Sequence, residues 1–244
     1  MSLLSLTNVT KHYPDGLGEI TVLDRVSFEV DEDDFVGVWG MRRSGKSTLL
    51  QIAAGRLLPD EGSVRFDGDE VTRMSSDRRV RLRRHGGIGL VSGEWRPVRN
   101  KPVVEHVAFP LLSDGMSLRE AREPAWRALE RVGGAGLARV SVDELSQLER
   151  IRVALAQALV REPRMLLFDE PAVLLRPSQA VELYELLGSL GRDGSLAVVI
   201  ASEEISAIRD ARRMFSIDSG RLRTTDRQGT LVQLPERARQ RSRP

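Results

Sequence analysis

The chain contains no cysteine. That absence excludes a disulfide framework, a thiolate metal site and a cysteine nucleophile. No apolar run approaches the ~20 residues that cross a bilayer as a helix. The opening Met1-Ser2-Leu3-Leu4-Ser5-Leu6 lacks the basic start and long apolar core of a secretory signal. Internal repeats and heptad runs are absent as well. These absences predict a cytoplasmic protein. Lysine is scarce: only Lys11, Lys46 and Lys101 occur, and every other basic side chain is arginine. That bias reflects genome composition more than function. The net charge is only +2, but it is unevenly spread, with seven arginines against Asp226 and Glu236 in the stretch Arg221 to Pro244. The tail reads as a solvated end, with contact to anionic lipid or nucleic acid as the alternative. What is present suits a globular fold. The 244 residues, 41% hydrophobic and 30% charged, are enough for one large α/β domain or a core with a small subdomain.

The most informative stretch is Gly40-Met41-Arg42-Arg43-Ser44-Gly45-Lys46-Ser47-Thr48. It fits the phosphate-binding pattern G-x-x-x-x-G-K-[ST] without a gap. The apolar run Phe35-Val36-Gly37-Val38-Trp39 leads into it, and a helical stretch, Ser47 to Ala54, leads out. Strand, glycine-bounded turn and helix N-terminus together aim backbone N–H groups and the helix dipole at a phosphate. Lys46 is then placed to reach the β and γ phosphates, and the Ser47 hydroxyl to ligate Mg²⁺. The bland alternative is a glycine turn whose lysine is simply solvated.

Around this loop the pattern alternates strands with helices. Residues 1–34 read as short strands, with Val26, Phe28 and Val30 in strict alternation and turns at Pro14-Asp15-Gly16 and Asp31 to Asp34. Val64-Arg65-Phe66 is a short strand ending at Asp67-Gly68. Arg78 to Arg84 reads as a solvated basic face. Ile88-Gly89-Leu90-Val91, Met165-Leu166-Leu167-Phe168 and Leu196 to Ile200 read as buried core strands. Leu118 to Val132 and Leu148 to Val160 are the clearest helices, and Ser178 is a candidate cap for another. Such alternation predicts a mostly parallel sheet covered on both faces. Phe168-Asp169-Glu170-Pro171 closes one of these strands with two acids. Asp169 is placed to hold Mg²⁺, directly or through water, and Glu170 to take a proton from an attacking water. A pair of turn acids beside a proline is the alternative.

These residues resemble the nucleotide-binding subunit of an ATP-binding cassette (ABC) transporter, in consistent order over roughly residues 1–220. Lys46-Ser47-Thr48-Leu49-Leu50 through Asp67-Gly68 follows that family. So do Ile88 to Val91, Val104-Glu105-His106-Val107, Asp143-Glu144-Leu145-Ser146, Arg152 to Leu159 and Leu166 to Pro171. The flanks look most like the ATPases of lipoprotein-release, macrolide-exporter and cell-division transporters. The resemblance implies a P-loop NTPase core with an N-terminal antiparallel β subdomain. It also implies a helical subdomain at about 93–150 and an Arg-rich tail, 221–244, after a cassette of residues 1–220. ATP and Mg²⁺ are the implied cofactors. Tyr13, in Lys11-His12-Tyr13, sits where the family has an aromatic that stacks on adenine. Gly40 to Thr48 would surround the phosphates, Ser47 and Asp169 the metal, and Lys46 and Glu170 would carry catalysis. The implied partners are transmembrane permease subunits and a second ABC ATPase, at the cytoplasmic face of the membrane. Trp95, Val98 and Phe109 are candidates for the permease groove or for ordinary core packing. Nucleic acid is not expected: there is no coiled coil or zinc insert, only one cassette, and no broad basic face.

The chain also departs from the family. Where the family signature reads LSGGQ, this chain reads Leu145-Ser146-Gln147-Leu148-Glu149. Side chains at Gln147 and Leu148 are expected to obstruct the backbone approach that glycines allow, and Glu149 to add negative charge near a polyanion. The family glutamine aligns with Gly93, beside Glu94. Its later aspartate aligns with Arg176, its switch histidine with Glu203, and a loop glycine with Arg43. Arg43 could pair with a phosphate or hold the loop closed. These losses predict a chain that binds ATP and Mg²⁺ but hydrolyses ATP slowly, as the weaker half of a heterodimer. The alternative is a nucleotide-binding scaffold with little turnover.

Overall fold

The computed structural model describes residues 2–16, 18–92, 95, 97, 100–192 and 196–225. Gly93, Glu94, Val98 and the tail beyond Thr225 lie outside these residues. The first elements are β1 (Ser2–Asp15) and β2 (Gly18–Asp31), an antiparallel hairpin of two 14-residue strands. They are longer than the short strands expected. Register shifts along β1, between Leu6 and Val9 among others, bend the ladder without ending it. Val26, Phe28 and Val30 alternate inward as their spacing predicts.

β3 (Phe35–Trp39) follows, then α1 (Lys46–Ala53). β4 (Glu61–Phe66) and β5 (Asp69–Glu70) join the hairpin in a four-stranded antiparallel sheet of order β2-β1-β4-β5. α2 (Ser76–Arg84) is the basic stretch expected to face solvent. Two of its arginines are instead tied down, Arg79 to the Met74 carbonyl and Arg83 to the Gly55 carbonyl.

β6 (Ile88–Ser92) precedes three helices, α3 (Val103–Ser113), α4 (Leu118–Arg131) and α5 (Gln147–Leu159), which pack on one another. α3 falls in the stretch 93–150 expected to be helical, though it is not one of the two clearest helices, and Pro110 lies inside it. Its C-terminal end is held from outside: Arg161 donates to the Pro110 carbonyl and forks onto both carboxylate oxygens of Asp114. β7 (Met165–Asp169), α6 (Pro177–Arg192), β8 (Ala197–Ser202), β9 (Arg213–Asp218) and β10 (Arg221–Thr225) complete the chain. α6 opens on Pro177, a residue suited to a first helical position because its missing N–H is not needed there. Ser178 therefore lies within the first turn rather than at the cap. β10 pairs with β9, so the first five residues of the arginine-rich stretch are sheet.

The second sheet runs β10-β9-β3-β8-β7-β6, with all neighbouring pairs parallel except β9 and β10. Its central strands are apolar on both faces because both faces are covered. Leu166, Phe168, Val198 and Ile200 point into a core with Leu155, Leu183 and Leu187. Met165, Leu167, Ala197 and Val199 point the other way, onto Leu49, Leu50 and Ile52 of α1 and the antiparallel sheet. Arg164 fastens the layers at one edge by pairing with both Glu32 and Asp67.

Gly37 of β3 tests this packing. A Cβ there would lie 2.5 Å from Ile208 Cβ. Gly37→Ala is expected to cost about 1–3 kcal/mol by overpacking, read as a lower midpoint in chemical denaturation. Gly136→Ala, where a Cβ meets nothing within 4 Å, is expected to stay within about 0.5 kcal/mol of the parent.

Candidate functional site

Parallel register brings the chemistry together. Trp39 at the end of β3 pairs with Ser202 at the end of β8, and Asp169 at the end of β7 pairs with Ala201. Three carboxyl-terminal strand ends therefore meet at one rim, the customary ligand position in open α/β sheets. The loop from Gly40 to Gly45 leaves β3 at this rim and enters α1 at Lys46.

The loop has no room for side chains at its two glycines. A Cβ on Gly40 would lie 2.5 Å from the Ile217 carbonyl oxygen and 2.6 Å from Ser44 Oγ. Gly45 has φ +108, and a Cβ there would meet the Val22 carbonyl oxygen at 2.7 Å. Arg43 stands at φ 64, in the left-handed region that glycine enters without cost. Met41, Arg42 and Arg43 are exposed, Ser44 is buried, Ser47 is exposed and Thr48 is half-buried. Tyr13 lies half-buried on β1 opposite Ile20, with the Lys11 ammonium 5.8 Å from its ring centroid. Ile20 is two positions along β2 from Val22, the residue packed against Gly45.

Lys46 is the centre of the site. Its side chain is only 5% exposed. Nζ donates to the Gly40 carbonyl at 2.6 Å and the Met41 carbonyl at 2.9 Å. It also lies 3.1 Å from Glu170 Oε1 and 3.9 Å from Glu203 Oε1. Glu170 takes φ 48, and its N–H donates to the Ala201 carbonyl. Its Oε2 accepts the Glu203 N–H at 3.2 Å. Glu203 is held in turn by Trp39, whose Nε1 donates to the Glu203 carbonyl at 2.9 Å. The contacts of Trp39 and Glu203 were not legible in the sequence, because the two lie 164 residues apart.

Asp169 is buried beside this group, and its Oδ1 has no hydrogen-bond partner among the described residues. Burial pushes its carboxyl above the usual range, against opposing pulls from a Ser47 hydrogen bond and the Lys46 charge. An unpaired carboxylate oxygen in contact with a serine hydroxyl is an all-oxygen donor pair that suits Mg²⁺. No group of three or more His, Cys, Asp or Glu that could hold a metal occurs among the described residues. A hard cation here would therefore need phosphate and water oxygens to complete its shell. A glycine-bounded loop at a helix N-terminus, with a buried ammonium, suits the phosphates themselves.

A profile of the ABC transporter family matches residues 23–173. The chain belongs to the ABC transporter family. Among solved structures, the ATP-binding cassette MJ0796, in a dimeric post-hydrolysis state bound to ADP and Pi, superposes with a TM-score of 0.82 at 30% identity. That match covers 91% of this chain and 98% of the other. CbiO1 from Clostridium perfringens, described as part of the ABC transporter complex cbiONQ, matches with a TM-score of 0.79 at 27% identity over 91% of this chain and 86% of its own. The P-loop NTPase cassette fold, with its antiparallel sheet, mostly parallel sheet and flanking helices, is thus established.

Around the start of α5 the side chains are held within the subunit. Leu148 is buried in the core, so its side chain faces inward. Ser146 caps α5, and Glu149 completes a capping box: its Oε2 accepts the Ser146 N–H at 2.8 Å and the Ser146 hydroxyl at 2.6 Å. The Glu149 charge is thereby tied to its own helix N-terminus, where it offsets the dipole. The signal was present in the sequence as Ser-x-x-Glu ahead of an apolar stripe. Arg176, exposed, binds the Gln179 side chain through its backbone N–H and Nε.

The cassette also carries a basic cavity of about 450 Å³ between α2, β6 and α5, lined by Arg56, Arg83, Arg84, Trp95 and Gln157 among others. Burial lowers the pKa of Arg56. Burial and then the crowding of Arg56, Arg79 and Arg84 lower that of Arg83. Trp95 Nε1 donates to Gln157 Oε1 at 2.9 Å, while Phe109 on α3 is 58% exposed.

The α5 cap yields a pH-dependent prediction. Hydrogen bonds from Ser146 hold the Glu149 carboxyl below its ordinary value. The associated stability is present above that ordinary range and lost as pH falls through the lowered value. Ser146→Ala is expected to cost about 1 kcal/mol at neutral pH. Denaturation titrations should show the gap from the parent narrowing progressively as the pH falls below the ordinary carboxylate range of glutamate.

Proposed function

We propose that this cassette is the ATP-binding subunit of a transporter whose membrane permease is a separate chain. We further propose that it is the catalytically weak half of a heterodimeric ATPase pair, at the cytoplasmic face of the membrane. The carrying observation is the buried Lys46 ammonium, set in a glycine-bounded loop at the start of α1 beside Glu170. In this reading Lys46 and the backbone N–H groups of Gly40 to Thr48 bind the phosphates, and Tyr13 supports the adenine. Ser47 and Asp169 would hold Mg²⁺, which would supply neutralisation of phosphate charge. Glu170 orients the attacking water and accepts its proton. The Lys46 contact at 3.1 Å keeps that carboxylate at the rim where the water must stand.

Two features support the weak role. Glu203 puts a carboxylate at the position the family gives to a γ-phosphate-contacting histidine. The N-terminus of α5, which the family presents to the partner's nucleotide, is already closed by Glu149. Loss of one preorganised electrostatic group commonly costs about 10²–10³ in rate. The lipoprotein-release, macrolide-exporter and cell-division transporters remain the nearest functional group on sequence flanks. The cluster of guanidinium groups around the basic cavity supports docking of a permease segment that carries carboxylates, with Trp95 at its edge. CbiO1, as part of a transporter complex, is a precedent for such a partnership.

The scaffold reading is favoured by the same Glu149 and Glu203 carboxylates. Glu170→Gln separates the two readings in a reconstituted transporter: abolished transport supports the motor, and unchanged transport the scaffold. The isolated chain is expected to bind ATP–Mg²⁺ in a calorimetric titration, with binding lost in Lys46→Ala. Its turnover is expected to fall about 10²-fold or more below that of a cassette with intact switch and signature groups. Brisk hydrolysis by the isolated chain would sink the weak-half assignment.

A further inference from the structure

We propose that Glu203 makes this phosphate site select a nucleoside diphosphate over the corresponding triphosphate. The inference rests on the reading of the Gly40–Thr48 loop as a nucleotide site and goes beyond it, to which nucleotide the isolated subunit retains.

The argument starts from the Lys46 ammonium. It has three N–H donors and four oxygens around it: the Gly40 and Met41 carbonyls at 2.6 and 2.9 Å, Glu170 Oε1 at 3.1 Å and Glu203 Oε1 at 3.9 Å. Two carboxylates thus share one buried positive charge. A lysine in this loop position reaches the β and γ phosphates. A terminal phosphate arriving there must compete with Glu203 for the ammonium, and it brings further negative charge to within a few ångströms of that carboxylate. Like charges at such a separation repel strongly at a partly buried site.

Glu203 cannot simply swing its anchor away. Its N–H is bonded to Glu170 Oε2 and its carbonyl to Trp39 Nε1. Trp39 itself ends β3, which pairs with β8 up to Ser202. Two hydrogen bonds and the parallel ladder therefore hold its backbone beside the loop, and the side chain, 38% exposed, reaches Lys46 from that fixed anchor. The adjoining acid, Glu204, is turned elsewhere: its Oε2 accepts the Tyr184 hydroxyl at 3.1 Å. The repulsion at the loop is thus specific to Glu203 and Glu170.

The first two phosphates meet a different environment. Backbone N–H groups of the loop and the start of α1 supply most of their binding. Those groups are set by Gly40, Gly45 and the turn in which Ser44 N–H donates to the Met41 carbonyl, none of which depends on Glu203. A diphosphate keeps this cradle and brings less negative charge toward the carboxylate. A triphosphate gains one more phosphate and loses the favourable field in which to place it.

The test compares binding of ADP with that of a β,γ-methylene ATP analogue, which resists hydrolysis, to the full chain in magnesium chloride by isothermal titration calorimetry. The parent is expected to bind ADP about tenfold or more tightly than the triphosphate analogue. Glu203→Gln keeps both backbone hydrogen bonds and the side-chain volume while removing the charge. It is expected to tighten the triphosphate about tenfold and to change ADP by less than about twofold. Circular dichroism and the denaturation midpoint check that the variant is folded. A parent that binds the triphosphate as tightly as ADP overturns the proposal, and so does an equal shift of both ligands in the variant. Failure of both nucleotides to bind the parent overturns both the proposal and the nucleotide-site reading beneath it. Binding of both without discrimination overturns the proposal alone.

Discussion

A buried ammonium has to be neutralised where it lies. Lys46 is almost wholly removed from water, so its charge demands oxygens within reach. Two carbonyls of its own loop and two carboxylates from the ends of other strands meet that demand. The arrangement requires β3, β7 and β8 to lie side by side in parallel with their ends level. Parallel pairing demands crossover connections, and helices covering both faces supply them. The double-faced apolar strands, the two cores and the position of α1 all serve to bring those strand ends to one rim.

Two carboxylates, Glu203 and Glu149, bring negative charge to the loop and to a helix start. At the loop, Glu203 stands 3.9 Å from the lysine that phosphate would otherwise hold. At the start of α5, Glu149 occupies the anion-seeking end of a helix with its own carboxylate. The two differ in effect. Glu149 is satisfied by local hydrogen bonds and stabilises its own helix. Glu203 crowds a charge already shared with Glu170, so its effect is felt by whatever binds there. Positive charge follows a different logic. Arg161 and Arg164 are neutralised by paired carboxylates. Arg83 is crowded by other guanidinium groups, which is the setting a carboxylate-bearing partner would relieve.

Features with a local cause were legible. The phosphate loop could be read because its glycines, lysine and hydroxyl act through neighbouring backbone. The core strands were visible as apolar runs, and α4 and α5 as amphipathic stretches. α3 was expected only as part of a helical stretch, and the support of its C-terminal end comes from Arg161, far along the chain. The hairpin strands ran longer than read because bulges absorb the breaks in alternation. Glu149 carried a capping signal, yet its spacing alone also fitted an exposed charge facing a partner.

The sequence by itself determined that this chain carries a phosphate loop, an acid-tipped strand and an alternating α/β order. Each of these depends on contiguous residues whose backbone preferences and periodicity act over a few positions. Only the tertiary structure decided that Glu203 and Glu170 converge on Lys46 and that Trp39 anchors the Glu203 backbone. Those contacts join the ends of strands brought together by parallel register and crossover helices. Their distances are set by packing of the whole sheet, to which no short stretch of sequence has access.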